Sequence, residues 1–212
     1  MKAPGTFQHS LQVANLAEAA IYQVHGNSLL VRTGALYHDI GKMASPRYFI
    51  ENQGTGINPH DELSYHESAS IIIGHVSEGI KIAKKYRLPD QIIDFIRTHH
   101  GTSITQYFYR MSLKEEGGDL VEKELFTYPG PIPYSKETAV LMMADSVEAA
   151  SRSIKDYNAQ NISDLVDNII NSQMSEGQFA NADITMKDIS SIKKLFKKML
   201  MNIYHVRVEY PR

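Results

Sequence analysis

The sequence contains no cysteine. That excludes disulfides, thiol catalysis and thiolate metal sites, and it fits a reducing, cytoplasmic setting. Any transition metal would have to be held by imidazole and carboxylate. Long apolar runs are also missing. No window approaches the roughly 18–20 residues needed to span a bilayer, and the start carries no signal-peptide pattern, so the chain as given reads as soluble. Nor is there an excess of one charge: 22 Lys and Arg stand against 24 Asp and Glu, a net of −2. This leaves no basic field of the kind that drives non-specific binding to a DNA or RNA polymer. A small or cyclic nucleotide remains compatible, because a local metal site holds phosphate without a basic surface. Repeats, low-complexity stretches and convincing strand runs are absent too, although 205–210 reads as potentially extended.

What is present is helical periodicity. A chain of 212 residues suits one well-buried domain. Leu11, Ala14, Leu16, Ala17, Ala20 and Val24 recur at spacings of three and four, predicting a first helix over about 6–23. Asn27-Ser28 can cap a second helix running to about Ile40, with Gly41 at its end. Residues 44–62 are broken by Pro46, Gly54, Gly56 and Pro59. A third helix is predicted over 66–86, and Pro89 opens a fourth. Residues 115–134 read as loop because of Gly117-Gly118 and Tyr128-Pro129-Gly130-Pro131. Ser135 caps a fifth helix to about Ser153, a sixth covers about 163–174, and Thr185 with Asp188 resembles a capping box before the last. The fold class is all-α, one domain over 1–212.

Histidines and carboxylates fall on these helices in a suggestive order. His9 sits on the first and His38-Asp39 end the second; His75 lies in the third, His99-His100 end the fourth, and Asp145 lies in the fifth. Each is flanked by apolar residues and is predicted to point inward. Neutral imidazoles bind Mn, Fe, Co or Zn, and one carboxylate can bridge two ions with its two oxygens. A pair of ions about 3.5–4 Å apart can generate hydroxide at neutral pH and clamp the oxygens of a phosphoryl displacement. A lone inward histidine is usually a satisfied core residue. An Asp within Leu141-Met142-Met143-Ala144-Asp145 is harder to explain that way, since an unpaired buried carboxylate is costly. On residue pattern alone, a metal site and a set of separately satisfied core residues both stay open.

The ordered series His9, His38-Asp39, His75, His99-His100, Asp145 resembles the ligand set of the HD-domain phosphohydrolase superfamily, and His38-Asp39-Ile40-Gly41-Lys42 is similar to its signature. Further stretches are similar to the cytoplasmic HD domain of seven-transmembrane, PgpH-type cyclic di-AMP phosphodiesterases. They include Ala3-Pro4-Gly5-Thr6, 48–53, Asn58-Pro59-His60-Asp61, 99–103, 128–131 and 144–152. The resemblance runs nearly end to end. It implies a helical bundle with a dinuclear centre of Fe or Mn, and hydrolysis of cyclic di-AMP to linear 5′-pApA by a metal-bridged hydroxide.

The same resemblance implies roles. His9, His38, Asp39 and Asp145 would hold one ion, with Asp39 as the bridge; His75 and His99 would complete the second, which His100 would ligate unless it contacts phosphate. Lys42 would sit on a phosphate oxygen, and Arg152, two helical turns after Asp145, would fork onto another phosphate. Catalytic roles are thus expected for Asp39, Lys42 and His100, with Lys42, His100, Arg152 and Tyr107 on the substrate. Tyr107-Phe108-Tyr109 is either core packing or a wall on which adenine stacks. The parent is expected to be a longer membrane-anchored protein with this domain on the cytoplasmic side, and a homodimer is compatible.

Two departures from the family pattern are Gln8, where a second histidine often precedes the first ligand, and Tyr65-His66-Glu67, where a proline often opens the helix. His25, His66 and His205 are expected to be surface or packing residues, His60 to make a structural hydrogen bond, and the lysines at 187, 193, 194, 197 and 198 to form a solvated face with a membrane-proximal role as a lesser idea. Rival readings are an HD enzyme acting on cyclic di-GMP, guanosine polyphosphates or deoxynucleotides, a di-iron oxygenase, and a non-catalytic nucleotide sensor. Gly101-Thr102-Ser103 follows the paired histidines where enzymes acting on cyclic di-GMP carry Gly-Tyr-Pro, which ranks that substrate lower.

Overall fold

A computed structural model describes residues 2–54, 56, 58–117 and 121–204. Eight helices form it: α1 (Pro4–Gln23), α2 (Ser28–Tyr37), α3 (Tyr65–Lys85), α4 (Asp90–Thr98), α5 (Gln106–Glu116), α6 (Lys136–Ser151), α7 (Ala159–Ser175) and α8 (Met186–Ile203). Short 3-10 turns fill much of the segment between α2 and α3. Among the described residues there is no strand, only an isolated bridge between Ile104 and Thr127. The potentially extended segment 205–210 lies outside them, as does His205.

Helix starts are set by side-chain caps. Asn27 accepts from the Leu30 amide at α2, and reciprocal capping boxes open α3 (Ser64 with Glu67), α6 (Ser135 with Thr138) and α8 (Thr185 with Asp188). Pro4 occupies the first turn of α1, where its missing N–H costs nothing. Two expectations change. The second helix stops at Tyr37, and Ile40–Ala44 tightens into a 3-10 turn instead of continuing to Ile40. A helix also forms at α5, which the sequence pattern does not predict.

Most helices pack around α6. From Thr138 to Asp145 every residue of α6 is buried, the signature of a helix surrounded on all sides. Val13, Leu16, Ala17 and Ile21 of α1, Val31 and Ala35 of α2, Ile162, Val166 and Ile170 of α7 and Ile189, Ile192 and Phe196 of α8 complete this core. A smaller cluster of Ala83, Ile93 and Ile96 joins α3 to α4. The polar residues of interest gather between these two apolar bodies.

Gly41 allows that meeting. A Cβ at this position would lie 1.8 Å from the His75 carbonyl oxygen and 2.5 Å from the Gly79 amide. Backbone on backbone leaves nothing that can give way, so the turn after Asp39 seats directly on α3 only with glycine. Gly41→Ala is expected to destabilise the protein by about 1–3 kcal/mol, the usual range for overpacking, and to lower the melting temperature by several degrees in calorimetry. An unchanged melting temperature would contradict this close approach.

Candidate metal centre

Helix α2 ends at Tyr37, and His38-Asp39 follow as the chain turns toward α3. Asp39 is buried at 2% exposure in the middle of the site. Its two carboxylate oxygens face different partners. Oδ2 lies 3.3 Å from His38 Nε2 and 3.6 Å from His9 Nε2; Oδ1 lies 3.3 Å from His75 Nε2 and 3.6 Å from His99 Nε2. Asp145, from the buried run of α6, closes the first group, with Oδ1 at 2.9 Å from His9 Nε2 and 3.6 Å from His38 Nε2. In the second group His75 Nε2 and His99 Nε2 are 3.1 Å apart.

Ring orientations are fixed from behind. The Nδ1 atoms of His38, His75 and His99 face the carbonyl three residues earlier, on Ala35 (2.7 Å), Ile72 (2.5 Å) and Ile96 (2.8 Å). This fixes the tautomer that donates from Nδ1 and turns every Nε2 toward Asp39. His9 achieves the same orientation differently: its Nδ1 is 2.5 Å from Glu148 Oε2. His100 stacks on Tyr128 with ring centroids 4.2 Å apart and meets His75 edge-on at 5.2 Å.

These residues fit a metal. His9, His38 and Asp145, then His75, His99 and His100, and a linking set of His38, Asp39 and His99, each bring one ligand atom within 4.8 Å of the others. His38 Nε2 and both Asp39 oxygens are buried without a hydrogen-bond partner among the described residues. Lys42 Nζ approaches Asp39 Oδ2 to 2.7 Å as an ion pair, outside hydrogen-bond geometry. Buried polar atoms without partners are expensive. Divalent ions would give them partners, and imidazole with carboxylate suits Fe, Mn, Co or Zn alike.

Charge around the site is strongly coupled. Burial pulls His9 and His38 down, yet the surrounding carboxylates outweigh it. Asp145 and Glu148 hold His9 up at about 9, and Asp39 with Asp145 holds His38 up at about 10. Burial pushes Asp39 and Asp145 up, and the neighbouring cationic groups overcome it, chiefly His38 and Lys42 for Asp39 and His38 and His9 for Asp145, so both lie well below the usual carboxylate range. His99 and His100 are lowered, first by burial and then by their neighbouring imidazoles, and stay neutral at pH 7.

In protein stripped by a chelator, His9 and His38 are therefore expected to be protonated at pH 7. Metal binding requires neutral imidazole, so uptake must release protons, and apparent affinity is expected to rise as pH increases from 7 toward 10. Stability of the stripped protein moves oppositely. A folded pKa raised above the ordinary value of 6.5 contributes fully below that value and is lost as pH rises through about 9 and 10. Calorimetric titration in buffers of different ionisation enthalpy checks the release; heats independent of buffer would contradict it.

The other residues selected from sequence surround this cluster. Lys42 bridges Asp39 and Glu51, whose Oε1 accepts from its Nζ at 2.9 Å. Burial pulls Lys42 down and pushes Glu51 up, but each charge holds the other ionised. Glu51 also accepts from the Thr6 hydroxyl at 3.1 Å, tying this pair to the start of α1. Arg152 lies on Glu148, donating from Nε at 3.0 Å and Nη2 at 2.6 Å. Tyr107 is 66% exposed on α5, where it lines an open groove of about 1060 Å³ together with Phe108, Ile50, His60, His100 and Tyr128. Tyr109 instead meets Phe126.

His60 makes the structural hydrogen bond, 2.8 Å to the Tyr48 carbonyl, and His25 and His66 are exposed. Lys193 and Lys197 reach Asp167 on α7, so that part of the lysine face packs between helices. Sequence reasoning missed Glu51, Tyr128 and Glu148. A signal existed for Glu148, which follows Asp145 by three residues on one helical face. Glu51 and Tyr128 sit in loops whose return to the site has no local signature.

The same residues lie within a stretch that known proteins share. The HD domain family matches residues 6–150. The cyclic-di-AMP phosphodiesterase PgpH of Bacillus subtilis (strain 168) is 46% identical over 210 residues, 99% of this chain and 29% of that protein. The PgpH of Listeria monocytogenes is 46% identical over 211 residues, all of this chain and again 29% of the relative. The chain therefore spans less than a third of the length of both. The crystal structure of the L. monocytogenes phosphodiesterase PgpH HD domain in complex with cyclic-di-AMP superposes with a TM-score of 0.93 at 44% identity, covering 96% of this chain and 94% of that one.

Proposed function

Because this chain belongs to the HD-domain family, we propose that it hydrolyses cyclic di-AMP to the linear dinucleotide 5′-pApA, using two divalent ions, Fe or Mn. The observation that carries this reading is the division of Asp39, one oxygen toward His9 and His38 and the other toward His75 and His99. The names of the two PgpH relatives and the cyclic-di-AMP complex of the solved neighbour support the substrate.

His9, His38, Asp39 and Asp145 are the proposed ligands of one ion, and Asp39, His75, His99 and His100 of the other. Such a pair supplies Lewis acidity and an activated water at neutral pH. The chain supplies the rest. Lys42, kept charged between Asp39 and Glu51, places a fixed positive charge where negative charge grows on the phosphate. His100, braced on Tyr128 at the mouth of the groove, is the contact for the scissile phosphate wherever it does not ligate the second ion. Arg152, its side chain 38% exposed, is the contact proposed for a second phosphate. The groove beyond His100 takes a nucleoside, with the Tyr107 ring as a stacking face for adenine.

Among the described residues no helix is long and apolar enough to cross a membrane. Coverage of 29% of each PgpH relative supports a place for this domain within a larger protein. We assign it to the cytoplasmic side of a membrane-anchored parent, with homodimerisation as an accompanying expectation and no DNA or RNA polymer as substrate. Incubating the Mn- or Fe-loaded chain with cyclic di-AMP and resolving products by chromatography tests the function. Accumulation of 5′-pApA is expected, with slower turnover of cyclic di-GMP. No turnover with either metal would overturn the substrate.

A further inference from the structure

We propose that Glu148, anchored by Arg152, is a positioning residue that fixes the His9 ring and makes one half of the metal centre depend on a carboxylate outside the ligand set. The inference rests on the metal-centre reading above and concerns residues that reading leaves without a metal role.

Helix α6 grips His9 twice. Asp145 Oδ1 lies 2.9 Å from Nε2, and Glu148 Oε2 lies 2.5 Å from Nδ1, so residues one turn apart on α6 hold both nitrogens of a ring on α1. Glu148 is buried at 5% exposure, where an ionised carboxylate needs partners on both oxygens. Its second oxygen has them, accepting from Nε and Nη2 of Arg152. Arg152 is four residues on and reaches the surface. The pair therefore forms a chain of contacts from solvent through Arg152 and Glu148 to His9.

The other rings show what is special here. His38, His75 and His99 are each oriented by a neutral carbonyl of their own helix, three residues back. His9 is oriented by a charged group from a different helix, 139 residues away in sequence. A carboxylate acceptor behind a histidine raises its basicity as a ligand and fixes its tautomer, and losing such a partner typically weakens metal binding roughly 10- to 100-fold. The centre is thus built asymmetrically. The His75–His99 half is held by local backbone alone, whereas the His9–His38–Asp145 half also depends, at His9, on packing of α1 against α6 through Glu148.

Chelator competition on the wild type, Glu148→Gln and Glu148→Ala, each loaded with zinc, reads the affinity of the two ions separately. The wild type should hold two ions. Glu148→Ala should keep one at wild-type affinity and hold the other roughly 10- to 100-fold more weakly. Glu148→Gln, whose amide oxygen still accepts from Nδ1, should fall between them, and it carries the test if the alanine variant does not fold. The Nδ1–H of His9 in the zinc-loaded protein gives an activity-independent signature in ¹⁵N-edited spectra: a signal protected from exchange with water in the wild type, and one that exchanges freely in Glu148→Ala. Equal release of both ions from all three proteins would overturn the role of Glu148 alone. A wild type that takes up no ion would bring down the metal-centre reading, and this proposal with it.

Discussion

Replacing Asp39 with asparagine is expected to lower cyclic di-AMP turnover by at least roughly 10²–10³-fold, the loss measured when a single preorganised electrostatic contact is removed from an active site. The effect should be larger than for any single histidine, because each histidine faces one oxygen of Asp39 whereas Asp39 faces both groups. The variant keeps the shape of the side chain but offers one oxygen and an NH₂, so it can serve only one side. Metal analysis should find fewer ions retained than in the wild type. Stability should respond in a characteristic way. The substituted amide would still lie beside Lys42 but with no charge to meet it, leaving that ammonium to Glu51 alone. Steady-state kinetics with metal content measured on the same preparation checks the prediction; full activity with two ions bound would contradict it.

Lys42→Met should separate chemistry from metal binding. The Lys42 ammonium is held at 2.7 Å from Asp39 Oδ2 and 2.9 Å from Glu51 Oε1, and its side chain is 13% exposed. Removing it takes away the fixed positive charge proposed to meet the phosphate, and kcat is expected to fall roughly 10²–10³-fold. It also removes a cation that competes for Asp39, so metal should be held at least as tightly as in the wild type. In chelator-treated protein the same change leaves the Asp39 and Glu51 carboxylates with less compensation, and breaking a buried pair typically costs about 3–5 kcal/mol. The melting temperature of the variant should thus depend on metal more steeply than that of the wild type. Comparable kcat values for the two proteins at saturating metal would contradict the role given to Lys42.

Much of this site is readable because its histidines and carboxylates sit on, or just after, helices rich in apolar residues. Asp145 stood out as a carboxylate inside an apolar run, and the structure buries it at the centre of α6. The caps at Ser135 and Thr185 placed α6 and α8 closely, since a capping box is local chemistry with a fixed spacing. Helix α5 was not readable in the same way. Gln106–Glu116 is largely polar, and among its described side chains only Ser112 is buried, so no apolar stripe identifies a helix there. Its stability comes from tertiary packing, including that of Phe108 on His60 and Tyr109 on Phe126.

Contacts made across long sequence separations were also hidden. Glu51 comes from a segment rich in breakers, where sequence establishes irregularity without saying where the chain returns. The structure brings it to Thr6, helped by Gly5, where a Cβ would fall 1.7 Å from the Glu51 carbonyl oxygen. Arg152 illustrates the opposite case. Its position two turns after Asp145 and its i,i+4 spacing from Glu148 are legible, but spacing alone does not determine that Glu148 also turns its other oxygen to His9 on α1.

In the proposed centre, Asp39 divides two ions between its oxygens. Anomalous diffraction from crystals of the manganese-loaded protein, collected at the metal edge, tests it most directly. Two peaks are predicted on opposite sides of the Asp39 carboxylate, about 3.5–4 Å apart as in other two-metal sites. One should lie among His9, His38 and Asp145 and the other among His75, His99 and His100. A single peak, or two peaks that leave either Asp39 oxygen without a metal, would contradict the account.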